Sequence, residues 1–175
     1  EQMLDEMIEQ IPLEDKVAGL FIVTPEAITG VNTAVMAGEG TKNALEKYAV
    51  GGLIYFQKNI ESAGQIKEML ANTQAYAQYP LFLAVDEEGG KVARLAAAGI
   101  YEGVGNASQI GATGDSNNAY TAGVTIGSAL ASMGFNVDFA PVADVANVSG
   151  SVMKERSYGS DAATVSEYVT AMMQG

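Results

Sequence analysis

The sequence has no cysteine and no histidine, and the two absences remove whole classes of chemistry. Without cysteine there is no disulfide, no thiolate metal site and no Cys nucleophile. Without histidine, neither a Ser–His–Asp triad nor a His-ligated zinc centre can be assembled from these residues. Positive charge is scarce as well: 9 basic residues stand against 21 acidic ones, a formal net charge of −12. Nucleic acids and anionic membrane surfaces are bound through Lys and Arg, so neither is expected as a partner. No stretch reaches the roughly 20 apolar residues of a membrane span.

What is present suits a globular domain. Of 175 residues 48% are hydrophobic, enough for a core. The first residue is Glu1 rather than Met, so an upstream tag, signal peptide or lipoprotein leader is expected to have been removed. An extracytoplasmic or lipoprotein-anchored setting is the corresponding expectation, and a cytoplasmic one is also compatible.

Apolar spacing organises the chain. Met3, Leu4, Met7, Ile8 and Ile11 share one helical face in an acidic opening segment, which is expected to pack across one end of the domain. Val17 to Val23 reads as a first strand and Val50 to Phe56 as a second. Ser62, three residues before Gln65, has the spacing of a helix cap, and Ile66, Met69, Leu70, Thr73 and Tyr76 mark the face behind it. Leu81 to Val85 is a third strand without polar alternation, as in a parallel sheet covered on both faces. Residues 94–115 read as a long loop. Asp115 or Ser116 is expected to cap a helix carrying Ala119, Ala122, Gly123, Ile126, Leu130 and Met133 inward, with Gly134 ending it. Phe135 to Val142 is the fourth strand, and Ser160 is expected to cap a last helix. Such strand–helix alternation predicts βαβ units and a parallel sheet. Two architectures fit: an open doubly wound sheet, or about half of a (β/α)8 barrel, which takes roughly 250 residues when complete.

Polar residues gather where the strands end: Lys58 and Asn59 after the second, Asp86-Glu87-Glu88 after the third, Asp144 after the fourth, and Arg156 beyond. Ligands of α/β folds bind at such carboxyl ends. Gly89-Gly90 permits positive φ and a close backbone approach, and Arg94 is expected to fold back and hold a carboxylate bidentately. Three adjacent carboxylates also suit Mg²⁺, but Lys91 and Arg94 beside them argue against a metal. Asp138 lies inside a strand, where a carboxylate is costly unless paired, so a buried ion pair is expected there. Gly38-Glu39-Gly40-Thr41-Lys42 lacks the P-loop spacing, and Gly103-Val104-Gly105-Asn106-Ala107-Ser108 lacks a third glycine, so neither supports nucleotide binding.

Five ordered segments carry a family resemblance: Leu13 to Phe21, Val50 to Phe56 with Asn59-Ile60, Val85 to Gly90, Asp138 to Asp144, and Arg156 to Asp161. They resemble the N-terminal barrel domain of glycoside hydrolase family 3, most closely its bacterial β-N-acetylhexosaminidases. The resemblance implies that residues 1–175 are the N-terminal half of a TIM-type (β/α)8 barrel, about its first four βα units. It implies a retaining glycosidase that removes terminal β-linked N-acetylglucosamine from glycans or peptidoglycan fragments, with a carbohydrate substrate and no metal or organic cofactor. Asp86, Arg94 and Arg156 match its substrate-binding positions. Its acid/base histidine and aspartate nucleophile belong to later segments that these residues do not contain. No catalytic residue is therefore expected in the chain, which alone should be inactive.

The sequence departs from the family pattern at Glu87 and Lys91, where Gln and Arg are expected, at Tyr158 in place of Phe, and in lacking a proline after Arg94. A β-glucosidase-type member of the same family and a non-catalytic sugar-binding α/β domain are the alternatives. A doubly wound small-molecule domain would instead show strand order 2-1-3-4. In a half barrel the outer strands have open edges, so self-association is expected.

Overall fold

The computed structural model describes residues 2–175, without the side chains of residues 2 and 3. The chain divides into two compact units, residues 1–84 and 85–175.

The first unit begins with α1 (Gln2–Gln10), α2 (Leu13–Ala18), β1 (Ile22–Val23) and α3 (Pro25–Thr29), and continues with α4 (Glu39–Lys47), β2 (Gly52–Tyr55) and α5 (Ala63–Tyr76). Helix α1 forms as its spacing predicts, but Leu4, Met7 and Ile8 are 62%, 60% and 52% exposed, so its apolar face does not pack across the domain. The side chain of Met3 lies outside the described residues.

The first strand is shorter than expected because α2 takes its beginning. Gly19, Leu20 and Phe21 donate back to Asp15, Val17 and Ala18, carrying the helical turn on to Phe21. The Phe21 carbonyl then accepts from Gly51 and Gly52, and pairing starts there. Val17 and Leu20 are exposed, so their apolar character reports no buried strand.

Ser62 caps α5 as predicted, its Oγ accepting from Gln65 N at 3.2 Å. Ile66, Met69, Leu70 and Thr73 are buried, as are Leu53 and Tyr55 of β2 and Leu81 and Leu83, in the core of this unit, and Tyr55 OH donates to Thr73 Oγ1 at 3.2 Å. Each large apolar side chain so buried is worth roughly 1.5–3 kcal/mol.

Strand β3 (Phe82–Val85) ends at the unit boundary. In the second unit follow β4 (Glu87–Gly89), β5 (Val92–Ala93), α6 (Arg94–Ala97), α7 (Ala107–Gly111), α8 (Asn117–Met133), β6 (Val137–Asp138) and α9 (Ala162–Gln174). Helices α8 and α9 pack so closely that a Cβ on Gly123 would overlap the Met172 carbonyl. Ala119, Ala122, Ile126 and Leu130 are buried in this unit with Val165, Tyr168 and Met172. Gly134 ends α8 at φ 101°, as predicted.

Of the two residues expected to cap α8, Asp115 supplies the side chain, its Oδ1 accepting from Asn117 N at 3.0 Å, while Ser116 precedes the helix with αR dihedrals and no side-chain cap. Two local expectations are corrected. Asp161 rather than Ser160 caps α9, accepting from Thr164 N at 2.9 Å. The fourth strand covers two residues; Phe139 N still donates to Val85 O at 2.9 Å, and Pro141 has no N–H with which to extend a ladder.

The principal sheet has the order β1-β2-β3-β6, with β1 and β2 parallel. Strands that neighbour one another in chain order are those of a barrel, and the 2-1-3-4 order of a doubly wound sheet is excluded. A second sheet is the β4–β5 hairpin. Among the described residues no helix is long and apolar enough to cross a membrane.

Candidate functional site

The hairpin that follows β3 shapes the site. Asp86 leaves the strand, β4 carries Glu87 and Glu88, and Gly89 and Gly90 turn the chain at φ 87° and 56°. A side chain at Gly90 would collide with Asn106, so the turn needs glycine for space as well as for φ. Strand β5 then returns the chain to Arg94, whose Nη2 lies 3.8 Å from Asp86 Oδ2. The fold-back foreseen for Arg94 is present, as a loose ion pair whose side chains are 25% and 27% exposed.

The acidic run is not a solvated turn. Glu87 is fully buried and serves the start of α6: its Oε2 accepts from Leu95 N at 2.8 Å, and its Oε1 from Ala96 N at 3.2 Å. Tyr101 OH donates to the same Oε1 at 2.8 Å, and burial together with that carboxylate drives the phenol pKa up. A carboxylate at a helix N-terminus satisfies orphan amides and complements the helix dipole. This accounts for Glu87 at a position where the family pattern leads one to expect Gln.

Glu88 is buried too and grips Arg156 by both oxygens. Arg156 Nε donates to Oε2 at 2.7 Å, and Nη2 closes a second, shorter bond to Oε1. Arg156 Nη1 rests 3.3 Å from Met153 Sδ. The pairing with Glu88 raises the guanidinium pKa, and Asp86 and Asp144 add to it through space. Thus Asp86 and Asp144, read separately from the sequence, each lie within electrostatic reach of Arg156.

The loop carrying Arg156 is anchored by Ser157, which is wholly buried with Oγ 2.5 Å from the Asp144 carbonyl and 2.9 Å from that of Gly159. Lys91 pairs with Glu155 at an exposed position, where an ion pair contributes little.

Asp138 has a different partner from the one expected. Its Oδ1 accepts from the backbone N of Glu87 at 2.9 Å, fixing the start of the hairpin. Desolvation, with Glu87, Asp86 and Glu88 close by, pushes its carboxyl up to about 7. The expected ion pair is replaced by a backbone hydrogen bond and a raised pKa, because the charges around it are also negative.

Lys58 and Asn59 belong to a separate network in the first unit. Asn59 is fully buried; its Nδ2 donates to Glu26 Oε1 at 2.6 Å and to Ala34 O at 2.9 Å. Lys58 lies 3.3 Å from Glu26 Oε1. Asn59 therefore holds the 30–37 segment in place. No group of three or more acidic side chains is arranged to hold a metal ion among the described residues.

A sequentially ordered sheet whose third strand delivers a paired carboxylate and arginine defines a TIM-barrel-like α/β protein, here a partial barrel. A family model described as the glycosyl hydrolase family 3 N terminal domain matches residues 6–175, and the chain belongs to that family. Beta-hexosaminidase A of Pseudoalteromonas piscicida is 36% identical over 140 residues, covering 74% of this chain and 23% of that protein. A family 3 β-N-acetylglucosaminidase from Paenibacillus sp. str. FPU-7 superposes with a TM-score of 0.82 at 33% identity, covering 93% of this chain and 30% of that one. NagZ from Neisseria gonorrhoeae, solved with N-trifluoroacetyl-D-glucosamine, gives 0.69 at 27% identity, with coverages of 81% and 43%. The chain thus spans less than half the length of each of these three relatives.

Proposed function

We propose that residues 1–175 form the sugar-holding half of a retaining β-N-acetylhexosaminidase acting on terminal β-linked N-acetylglucosamine. The observation that carries this reading is the placement of Asp86, with Arg94 beside it, within electrostatic reach of Arg156 at one strand end. A charged acceptor and a charged donor together hold a polyol in a single orientation. The names of the relatives, and the glucosamine derivative in one of their structures, support the choice of sugar.

Retaining hydrolysis needs two catalytic groups about 5–5.5 Å apart. The inner carboxylates of this site are already engaged: Glu87 holds α6, Glu88 holds Arg156, and Asp138 accepts from the hairpin backbone. The groups that cut the bond therefore come from chain beyond the matched segment, and these residues bind without cleaving. Self-association through the open edges at β1 and β6 belongs to the same reading.

The test has two arms. An aryl β-N-acetylglucosaminide incubated with the 175-residue protein should release no aryl alcohol above a blank. N-acetylglucosamine titrated into the protein should bind, and Asp86→Ala should weaken that binding at least tenfold. Turnover above the blank would refute the missing-catalyst argument, and an Asp86→Ala protein that binds as before would remove Asp86 from the site.

A further inference from the structure

We infer that Glu88 sets the charge class of the sugar accepted here, restricting the ring seated against Arg156 to neutral ones; this rests on the sugar-holding role proposed above. A guanidinium has five N–H donors and no acceptor. In Arg156, Nε–H and one Nη2–H go to Glu88, and one Nη1–H points to Met153 Sδ. Two donors remain, one on each terminal nitrogen, and they face away from Glu88. That edge still reaches two adjacent hydroxyl oxygens, but the charge behind it is compensated by a buried carboxylate in bidentate contact.

The surroundings act in the same direction. Asp86 and Asp144 are close enough to Arg156 to bear on its ionisation, and Arg94 is paired with Asp86. Lys91 is drawn off to Glu155 at the rim. A carboxylate or sulfate arriving at the Arg156 edge would meet two acidic side chains with the nearby cations already compensated, and charges this close interact strongly in a partly buried setting. A hydroxyl carries no such penalty. Glu88 thereby excludes uronic and sulfated sugars and also orients the donor edge for a neutral ring. If it only tied the hairpin to the Arg156 loop, its charge would leave ligand choice unaffected.

The experiment follows the Arg156 Nε–H and neighbouring amides by heteronuclear NMR in the wild-type 175-residue protein and in Glu88→Gln, titrating each with N-acetylglucosamine, glucuronate and inorganic sulfate. Wild type should respond to N-acetylglucosamine alone. Glu88→Gln should bind it about tenfold more weakly and gain at least tenfold in affinity for glucuronate and sulfate. Adding Arg156→Gln to that variant should abolish the gain.

Equal sulfate and glucuronate responses in wild type and Glu88→Gln overturn the inference, as does wild type binding glucuronate as tightly as N-acetylglucosamine. If wild type ignores N-acetylglucosamine, the sugar reading fails, while the sulfate comparison still decides the role of the Glu88 charge. Should Glu88→Gln not fold, Glu88→Asp decides: it keeps the charge, so refusal of both anions upholds the inference and uptake of either overturns it.

Discussion

Replacing Asp138 by Asn should change how stability depends on pH far more than it changes the structure. Asn retains an Oδ1 acceptor for the Glu87 amide that Asp138 now binds at 2.9 Å, so the hairpin keeps its anchor. What disappears is a titration. The folded pKa of Asp138 is about 7 against an ordinary 3.8, a gap of about 3 pH units, and each unit corresponds to about 1.4 kcal/mol. Between pH 4 and 7 the unfolded chain has lost this proton while the folded chain keeps it, so folding takes up a proton and stability falls as pH rises. The contribution is complete below about pH 4 and gone above about pH 7, and it amounts to at most about 4 kcal/mol. Urea denaturation of both proteins at half-unit steps from pH 4 to 8.5 isolates the effect, because every other group titrates in both. The two should be nearly equal in stability at pH 4, with the Asn variant ahead by several kcal/mol at pH 8. In a melting experiment 1 kcal/mol is worth roughly 2–4 °C for a chain of this size. Parallel pH curves would refute the reasoning, since they would mean that Asp138 is ionised in the fold throughout.

Two further expectations concern packing and association. Gly123→Ala should destabilise by about 2 kcal/mol or more in denaturant titration, because its Cβ would enter the Met172 carbonyl of α9. Gly127→Ala, one turn on in α8 with open space around it, should instead stabilise by roughly 0.5–1 kcal/mol, and the reverse ranking would contradict the close helix contact. Light scattering over a concentration series should show self-association of the wild-type protein, whereas a clean monomer at high concentration would count against pairing through the sheet edges.

The fold was legible where structure follows from local chemistry. The Ser62 cap, the Gly134 terminator and most of the inward face of α8 stand as their spacing predicts, and β3 forms where expected with Leu83, Ala84 and Val85 buried, although Phe82 at its start is exposed. The misreadings share a cause. Leu20 and Phe21 are as apolar as a strand requires, but the helical turn begun at Leu13 extends through them and leaves them exposed. In the supposed loop over 94–115, α6 begins where the Glu87 side chain satisfies its amides from eight and nine residues away, a contact that no helical periodicity encodes. Helix α7 did carry a signal, since Asn106 and Gln109 have cap spacing and Gln109 Oε1 accepts from Asn106 N at 2.9 Å.

The site was half legible in the same sense. Its charged residues could be picked out at strand ends, and the return of Arg94 to Asp86 followed from the glycine turn between them. The division of labour among three adjacent carboxylates could not be read, because it depends on partners far along the chain. Glu88 and Arg156 are 68 residues apart, and Asp138 reaches Glu87 across 51. Ser157 carries no local signal beyond that of a short polar residue in a loop, although it fixes the segment that delivers Arg156.

That 68-residue span also bears on the order of assembly. A hairpin of seven residues, Glu87 to Ala93, is local in sequence, but this one turns Glu88 into a buried position that is tolerable only once Arg156 has arrived. Arg156 arrives only after everything between them has been placed: α6 and α7, the whole of α8, β6 and the loop fastened by Ser157. The Glu88–Arg156 pair therefore depends on the placement of every one of these elements and suffers when any of them loosens. A nick in the exposed stretch around Val148 to Val152 would disarm a hairpin some 60 residues upstream without touching it, so the site can report on the integrity of the unit that carries it.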